Sequence, residues 1–279
     1  MRRDPTAAGP IEWQLVGDGA MAYPRDAIFA GVPPGELDRA GITEEVVTPY
    51  NALLVRADGR LILVDAGLGA AADAIGAPAG RLASSLAALG IGPTDVDDVI
   101  VTHGHADHVG GLTAGGRPSF PRARHHLART EWAFWMDGDP RPRLPASLAD
   151  LLADTAHATF DALRHAGLLE LLDDDVEIVP GVRLLGAPGH TPGHLAVELD
   201  SGGDPLLYVA DAILHELQFE HPDWIAAFDV EAETTVRTRR RLLDAAADRQ
   251  ALIAAFHLGR IGGVTRAGDG YRFTPRDVT

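Results

Sequence analysis

The stretch VTHGHADHVGG, Val101 to Gly111, follows an apolar run and sets His103, His105, Asp107 and His108 within six residues. In a loop of the form His-x-His-x-Asp-His, alternate residues point the same way. His103 and His105 then reach one metal ion while Asp107 and His108 turn toward a second. Imidazole and carboxylate suit zinc and its first-row neighbours, and these donors alone admit Zn, Mn, Fe or Co. The neighbouring His125-His126 pair lacks such a pattern and is read as a loose surface cluster.

One loop cannot close two coordination spheres, so partners must come from elsewhere in the chain. Three other segments that read as strand ends supply them: His190 in APGHTPGH, Asp211 in YVADA and His257 in AAFHLG. A balanced allotment puts His103, His105 and His190 on the first ion and Asp107, His108 and His257 on the second. The carboxylate of Asp211 bridges them. The other histidines, His194 and His215 among them, are read as surface or supporting groups.

The chain of 279 residues is 46% hydrophobic, enough to bury a sizeable core. A formal net charge of -16 and the absence of any basic cluster beyond Arg239, Arg240 and Arg241 argue against nucleic acid and membrane surfaces as partners. Cysteine is absent, which excludes disulfides, thiolate nucleophiles and Cys-based metal sites. All 24 basic residues are arginine, which removes Schiff-base chemistry and a phosphate-loop lysine. No apolar run of signal-peptide or membrane-spanning length is present, and the expected location is the cytoplasm.

Residues 1–48 are rich in Gly and Pro with little periodicity, and are expected to wrap a single domain spanning 1–279 or to form an oligomer contact. From Asn51 onward, ALLVRADGRLILVDAG reads as a hairpin of Ala52–Ala57 and Leu61–Ala66 around Asp58-Gly59. RLASSLAALG has helical spacing closed by Gly90, and VDDVIVT returns as a buried strand that delivers the histidine cluster. RARHHLA predicts another strand and TEWAFWMDG a short aromatic helix. Residues 147–166 form a longer helical pattern. The segments VEIVPGVRLLGAPGH, HLAVELDSGGDPLLYVADA and ALIAAFH are β-rich, and the helix predicted over 231–248 lies between the last two. Two β-rich halves with interspersed helices predict an α/β protein, a sheet-on-sheet core covered by helices.

THGHADHVGG, GHTPGH, the lone Asp211 and the late His257, in that order, resemble the metallo-β-lactamase superfamily, and LILVDAG resembles its preceding strand-loop signature. The resemblance spans about residues 51–257. It implies a four-layer αββα sandwich of two mixed β-sheets flanked by helices, with two divalent ions, zinc foremost, at one edge between the sheets. Its ligand pattern agrees with the allotment above, and it implies that Asp65 and Thr191 hold the ligand loops; Asp65 also reads simply as a strand-end turn residue. The lack of cysteine disfavours an antibiotic-hydrolysing role. Texture further along, in ARTEWAFW, VPGVRLLGAPGHTPGH and HLGRIGGVTRAGDGYRFTP, is similar to the branch containing methyl parathion hydrolase and related lactone and aryl-ester hydrolases. That branch implies a homodimer.

The expected activity is hydrolysis of small apolar esters or lactones by a hydroxide bridging two metal ions, with phosphotriesterase activity alongside. Asp107 shuttles the proton and Asp211 sets the metal spacing. Trp135, Phe134, Leu214 and Phe219 are the candidate substrate-binding residues, Trp135 by family position. Acyl-homoserine lactonases of the superfamily commonly carry a tyrosine three residues after the bridging aspartate, where this chain has Leu214. Two alternatives stay open: a glyoxalase II-like thioester hydrolase, for which Arg260 and Arg266 supply the basic groups, and a catalytically idle metal-containing ligand-binding protein.

Overall fold

The computed structural model describes residues 9–173 and 175–276. Two mixed sheets face each other. The first runs in spatial order Glu12–Pro24, Glu45–Ala57, Arg60–Val64, Asp98–Ile100, Arg124–Ala128 and Leu169–Leu172. Its first three strands pair antiparallel and the rest parallel. The second runs Gly270–Arg276, Ile261–Ala267, Leu252–Ala254, Leu206–Tyr208, Leu195–Leu199, Val182–Gly186 and Glu177–Val179. Only its Leu206–Tyr208 and Leu252–Ala254 pair is parallel.

Strand periodicity shows how these layers pack. Leu206, Tyr208, Leu252 and Ala254 join the main core between the sheets with Leu53, Ile62 and Val99. The intervening Leu207 and Ile253 face the other way, against Leu242, Leu243 and Ala246 of the helix Ala232–Arg249. A strand buried on both faces is a continuous apolar run, which is why LLY and LIA carry no polar alternation. On the far side of the first sheet the helix Ala149–His165 buries Leu152, Ala156, Phe160 and Leu163. The helices therefore form the outer layers of the sandwich.

Residues 9–48, which read from sequence as an extension, instead supply structure to the sheet; residues 1–8 of that stretch lie outside the described residues. Glu12–Pro24 is the edge strand, paired along its length with Glu45–Ala57 and bulged between Gly17 and Gly19. An edge strand is half exposed, so its apolar pattern is too weak to read as a strand. At the bulge, the buried Asp18 carboxylate accepts the backbone N–H groups of Leu68 (3.0 Å), Gly80 (3.0 Å) and Leu82 (2.7 Å), pinning the loop that follows the third strand. Downstream, Ile28, Phe29 and Leu37 pack with Leu214 and Trp224.

His125 and His126 are likewise not a surface pair, because both are buried in the strand Arg124–Ala128. His126 Nε2 meets Asp98 Oδ1 at 2.8 Å. Neither ring nitrogen of His125 has a hydrogen-bond partner among the described residues, and burial pushes its pKa down to about 4. Below the ordinary histidine value of 6.5 the unfolded chain takes a proton that the folded chain refuses, so stability is lost as pH falls from 6.5 toward 4. Replacing His125 with Leu is expected to flatten urea-unfolding stability between pH 7 and pH 4 by about 3 kcal/mol. An unchanged pH profile would show that His125 is not held neutral.

Candidate metal centre

Strand ends build the site. Asp98–Ile100 runs into the loop bearing His103 and His105 and the one-turn helix Ala106–Val109 bearing Asp107 and His108. Leu206–Tyr208 leads to Asp211, Leu252–Ala254 leads to His257, and the connection between Val182–Gly186 and Leu195–Leu199 carries His190. The result is two groups of converging donor atoms: His103, His105, His190 and Asp211, and Asp107, His108 and His257. Asp211 reaches both. Its Oδ2 lies 3.3 Å from His190 Nε2 and 3.2 Å from His257 Nε2, and its Oδ1 lies 3.3 Å from His108 Nε2.

The contacts behind the rings decide which nitrogen faces the centre. His190 Nδ1 donates to Asp229 Oδ1 (2.9 Å), His108 Nδ1 to Asp65 Oδ2 (2.8 Å) and His257 Nδ1 to the Pro49 carbonyl (3.2 Å). The Thr102 hydroxyl donates to Asp65 Oδ2 (2.8 Å), so it accepts from His103 Nδ1 (3.1 Å). Each Nε2 is thereby left as a lone pair aimed inward. His103 Nε2 and His190 Nε2 both stand 3.0 Å from His105 Nδ1, while His108 Nε2 and Asp211 Oδ1 are buried without a hydrogen-bond partner. Donors about 2.0–2.1 Å from a tetrahedral zinc ion stand about 3.3 Å apart. The spacing and the inward lone pairs therefore fit divalent cations.

Charge gives the same picture. Burial opposes ionisation of the Asp211 carboxyl, yet His257 and His108 hold its pKa well below the usual carboxylate range. Burial likewise opposes charge on His108, but Asp211, Asp65 and Asp107 hold its pKa well above the ordinary histidine value. The carboxylates thus demand positive charge, which in the absence of metal falls on the rings. Asp65 and Ala210 occupy positive-φ backbone (63° and 43°) beside Thr102 and Asp211, strain of the kind that collects where side chains must be aimed.

Asp65 accepts from the Thr102 backbone as well (2.9 Å), and Thr191 Oγ1 donates to Glu131 Oε2 (2.7 Å). His194 joins neither donor group. Its Nδ1 donates to the Ala187 carbonyl (3.0 Å), and its Nε2 accepts the backbone N–H of Asp211 (3.1 Å), holding the backbone of the bridging residue. A cleft opens onto the donors, and Leu214 lines it.

Trp135, Phe134 and Phe219 do not line this cleft. Trp135 is fully buried, its Nε1 donates to Glu131 Oε1 (2.6 Å), and its ring presses so close to Gly104 that a Cβ there would fall 2.3 Å from Nε1. It backs the His103–His105 loop. Phe134 lies on another side of the helix, under the Arg143 guanidinium, and Phe219 stacks on Phe273 in the core behind the second sheet. Arg260 pairs with Glu216, and Arg266 with Asp244 and Asp248, so neither is a free anion-binding group. Those pairings remove the support for the thioester alternative.

Three contributors were not foreseen from sequence: Asp229, Glu131 and the pair Tyr23 and Tyr50, whose phenols line the cleft. Glu131 ties the two ligand loops together, accepting from Gly104 N (2.8 Å) and Gly193 N (3.0 Å) in addition to Trp135 and Thr191. Burial pushes its pKa up against the pull of these donors. The available signal was a lone acid in an aromatic helix just beyond a strand end.

Residues 46–255 match the family model described as the metallo-beta-lactamase superfamily. An N-acyl homoserine lactonase of Bacillus sp is 30% identical over 157 residues, 54% of this chain and 52% of the relative. The match thus spans about half the length of that relative. Among solved structures, "hydrolase AbOPH in beta lactamase superfamily" superposes with a TM-score of 0.85 at 26% identity, covering 99% of this chain and 100% of that one. "AidC, a dizinc quorum-quenching lactonase", solved with a homoserine product, also gives 0.85, at 25% identity and the same coverage. The chain belongs to the metallo-beta-lactamase superfamily.

Replacing Asp229 with Asn removes the charge behind His190, and the expected result is 10–100-fold weaker metal binding in a chelator competition; unchanged affinity would deny Asp229 that role. Glu131→Gln sets an amide donor against N–H and O–H donors. It is expected to cost about 1–3 kcal/mol in urea unfolding, and an unchanged midpoint would show that the carboxylate is not needed as an acceptor.

Proposed function

We propose that this protein is a dinuclear metal-dependent hydrolase that opens lactones bearing an apolar substituent, with aryl esters and phosphotriesters as further substrates. The observation that carries the reading is the pair of donor groups joined by Asp211 at the floor of an apolar-walled cleft. Support for lactones comes from the similarity to N-acyl homoserine lactonases. The methyl parathion hydrolase branch, and with it phosphotriester cleavage, rests on the sequence texture described above.

When bound, two divalent ions would lower the pKa of water to about 7 and polarise the oxygen of the bond under attack. The remaining work falls to the chain. His103, His105 and His190 hold one site, His108, His257 and Asp107 the other, and Asp211 fixes their separation. Asp107 is the least buried of the seven side chains, 14% exposed against 0–3% for the histidines and Asp211 of the ion pairs it shares. Asp107 lines the cleft, and its second carboxylate oxygen is the group proposed to take a proton from water and return it to the departing alkoxide. Apolar walls exclude competing water and favour substrates of moderate size.

A zinc-loaded preparation is expected to hydrolyse γ-lactones with apolar side chains and p-nitrophenyl esters, with activity lost on chelation and restored by metal. Asp211→Ala is expected to lower kcat/KM by at least about 10³-fold. Turnover that persists in excess chelator, or survives Asp211→Ala, would contradict the dinuclear reading.

A further inference from the structure

We propose that Tyr23 and Tyr50 act as one hydrogen-bond donor that recognises a carbonyl oxygen of the substrate, an inference that rests on the hydrolase reading above. The two residues come from the edge strand and its neighbour, Tyr23 opposite Val46 and Tyr50 opposite Gly19, and both line the cleft that opens onto Asp107, Asp211 and His257. Their hydroxyls are hydrogen-bonded to each other. Packing fixes both rings: Tyr50, 1% exposed, lies edge-on to His257 with centroids 5.2 Å apart, and Tyr23 lies edge-on to Phe228 at 5.7 Å.

Counting protons shows why the pair is a donor in search of an acceptor. Two hydroxyls hold two protons, and one proton makes the bond between them. The other has only the Met21 thioether, 3.5 Å from the Tyr50 oxygen, and a thioether sulfur is a weak acceptor. No stronger partner for either phenol is present among the described residues, whereas the buried Tyr208 nearby spends its proton on the Asn51 carbonyl at 2.9 Å. A phenol proton whose protein partner is only a thioether is free to be donated to a bound oxygen acceptor.

The walls around the pair say what brings that acceptor. Met21, Ile28, Leu68, Leu214 and Phe228 are apolar, and Thr48 Oγ1 is turned back to the Met21 carbonyl at 3.5 Å. Apart from the metal donors, the phenols are therefore the polar atoms free to orient a ligand in this cleft. A few placed polar groups in an apolar pocket give orientation and specificity. A carbonyl attached to an apolar chain, as in an acylated lactone or an ester, matches both features.

The test uses the zinc-loaded full-length protein and an unreactive probe, a γ-lactam bearing a hexanoyl amide, with affinity measured by calorimetry in wild type, Tyr23→Phe, Tyr50→Phe and the double variant. Metal content and thermal midpoint are recorded for each. The expected result is about 5–30-fold weaker binding in each single variant, and a double variant little weaker than the worse single, because the two hydroxyls work as a unit. Metal content and midpoint stay unchanged. Affinity that is unaltered in the double variant overturns the proposal, as does a wild-type protein that fails to bind the lactam. Weaker binding accompanied by metal loss assigns the tyrosines a structural role and overturns it as well. Ester and lactone turnover by the wild type tests the hydrolase reading separately, so the two failures are distinguishable.

Discussion

The convergence of seven metal-donor side chains on the Asp211 carboxylate is the constraint on which the rest of this structure depends. His103, His105, His190 and Asp211 bring donor atoms together at spacings of 3.0–3.8 Å, with the His103 and His190 rings held from behind by Thr102 and Asp229. Such a concentration of donors around buried carboxylates calls for positive charge, and the fold has to hold the donors in place. Both sheets end their strands at this edge, which gives each donor a rigid base. Carboxylates of Asp65 and Asp229 lock the rings, and Glu131 ties the loop before His105 to the loop after His190. Divalent cations bound there would supply that charge, so metal binding would be coupled to folding.

Much of this was legible in the sequence, and the reason is chemical. Metal donors must be His, Asp or their like, so HGHADH, His190, Asp211 and His257 stand out even though they are scattered over 155 positions. The sandwich was legible because its inner strands are short apolar runs that end at those donors. What the sequence hid is geometry over long range. Asp229 backs His190 from 39 residues away and Glu131 reaches Thr191 over 60, and neither carries a local pattern. The aromatic helix shows the same limit. Adjacent positions on a helix set Phe134 and Trp135 on different faces without saying which face meets the cleft, and the demand of Glu131 for the indole N–H turned Trp135 into the support of Gly104.

The edge strand Glu12–Pro24 joins these themes. Its polar outer face and its bulge disguised it as irregular chain, yet it delivers Asp18 to the loop beyond Asp65 and Tyr23 to the cleft. On the proposal that the phenols recognise substrate, recognition is drawn from the part of the chain whose sequence is least patterned, while the metal donors come from the part whose sequence is most constrained. Relatives that share the donors can in this way differ in what they cleave.

The central claim is that Asp211 joins two cation sites, and anomalous diffraction at the zinc edge from crystals of the loaded protein tests it most directly. Two peaks are predicted on either side of the Asp211 carboxylate, about 3.5–4 Å apart. A single peak at full occupancy, or two peaks of which one lies away from Asp211, would contradict it.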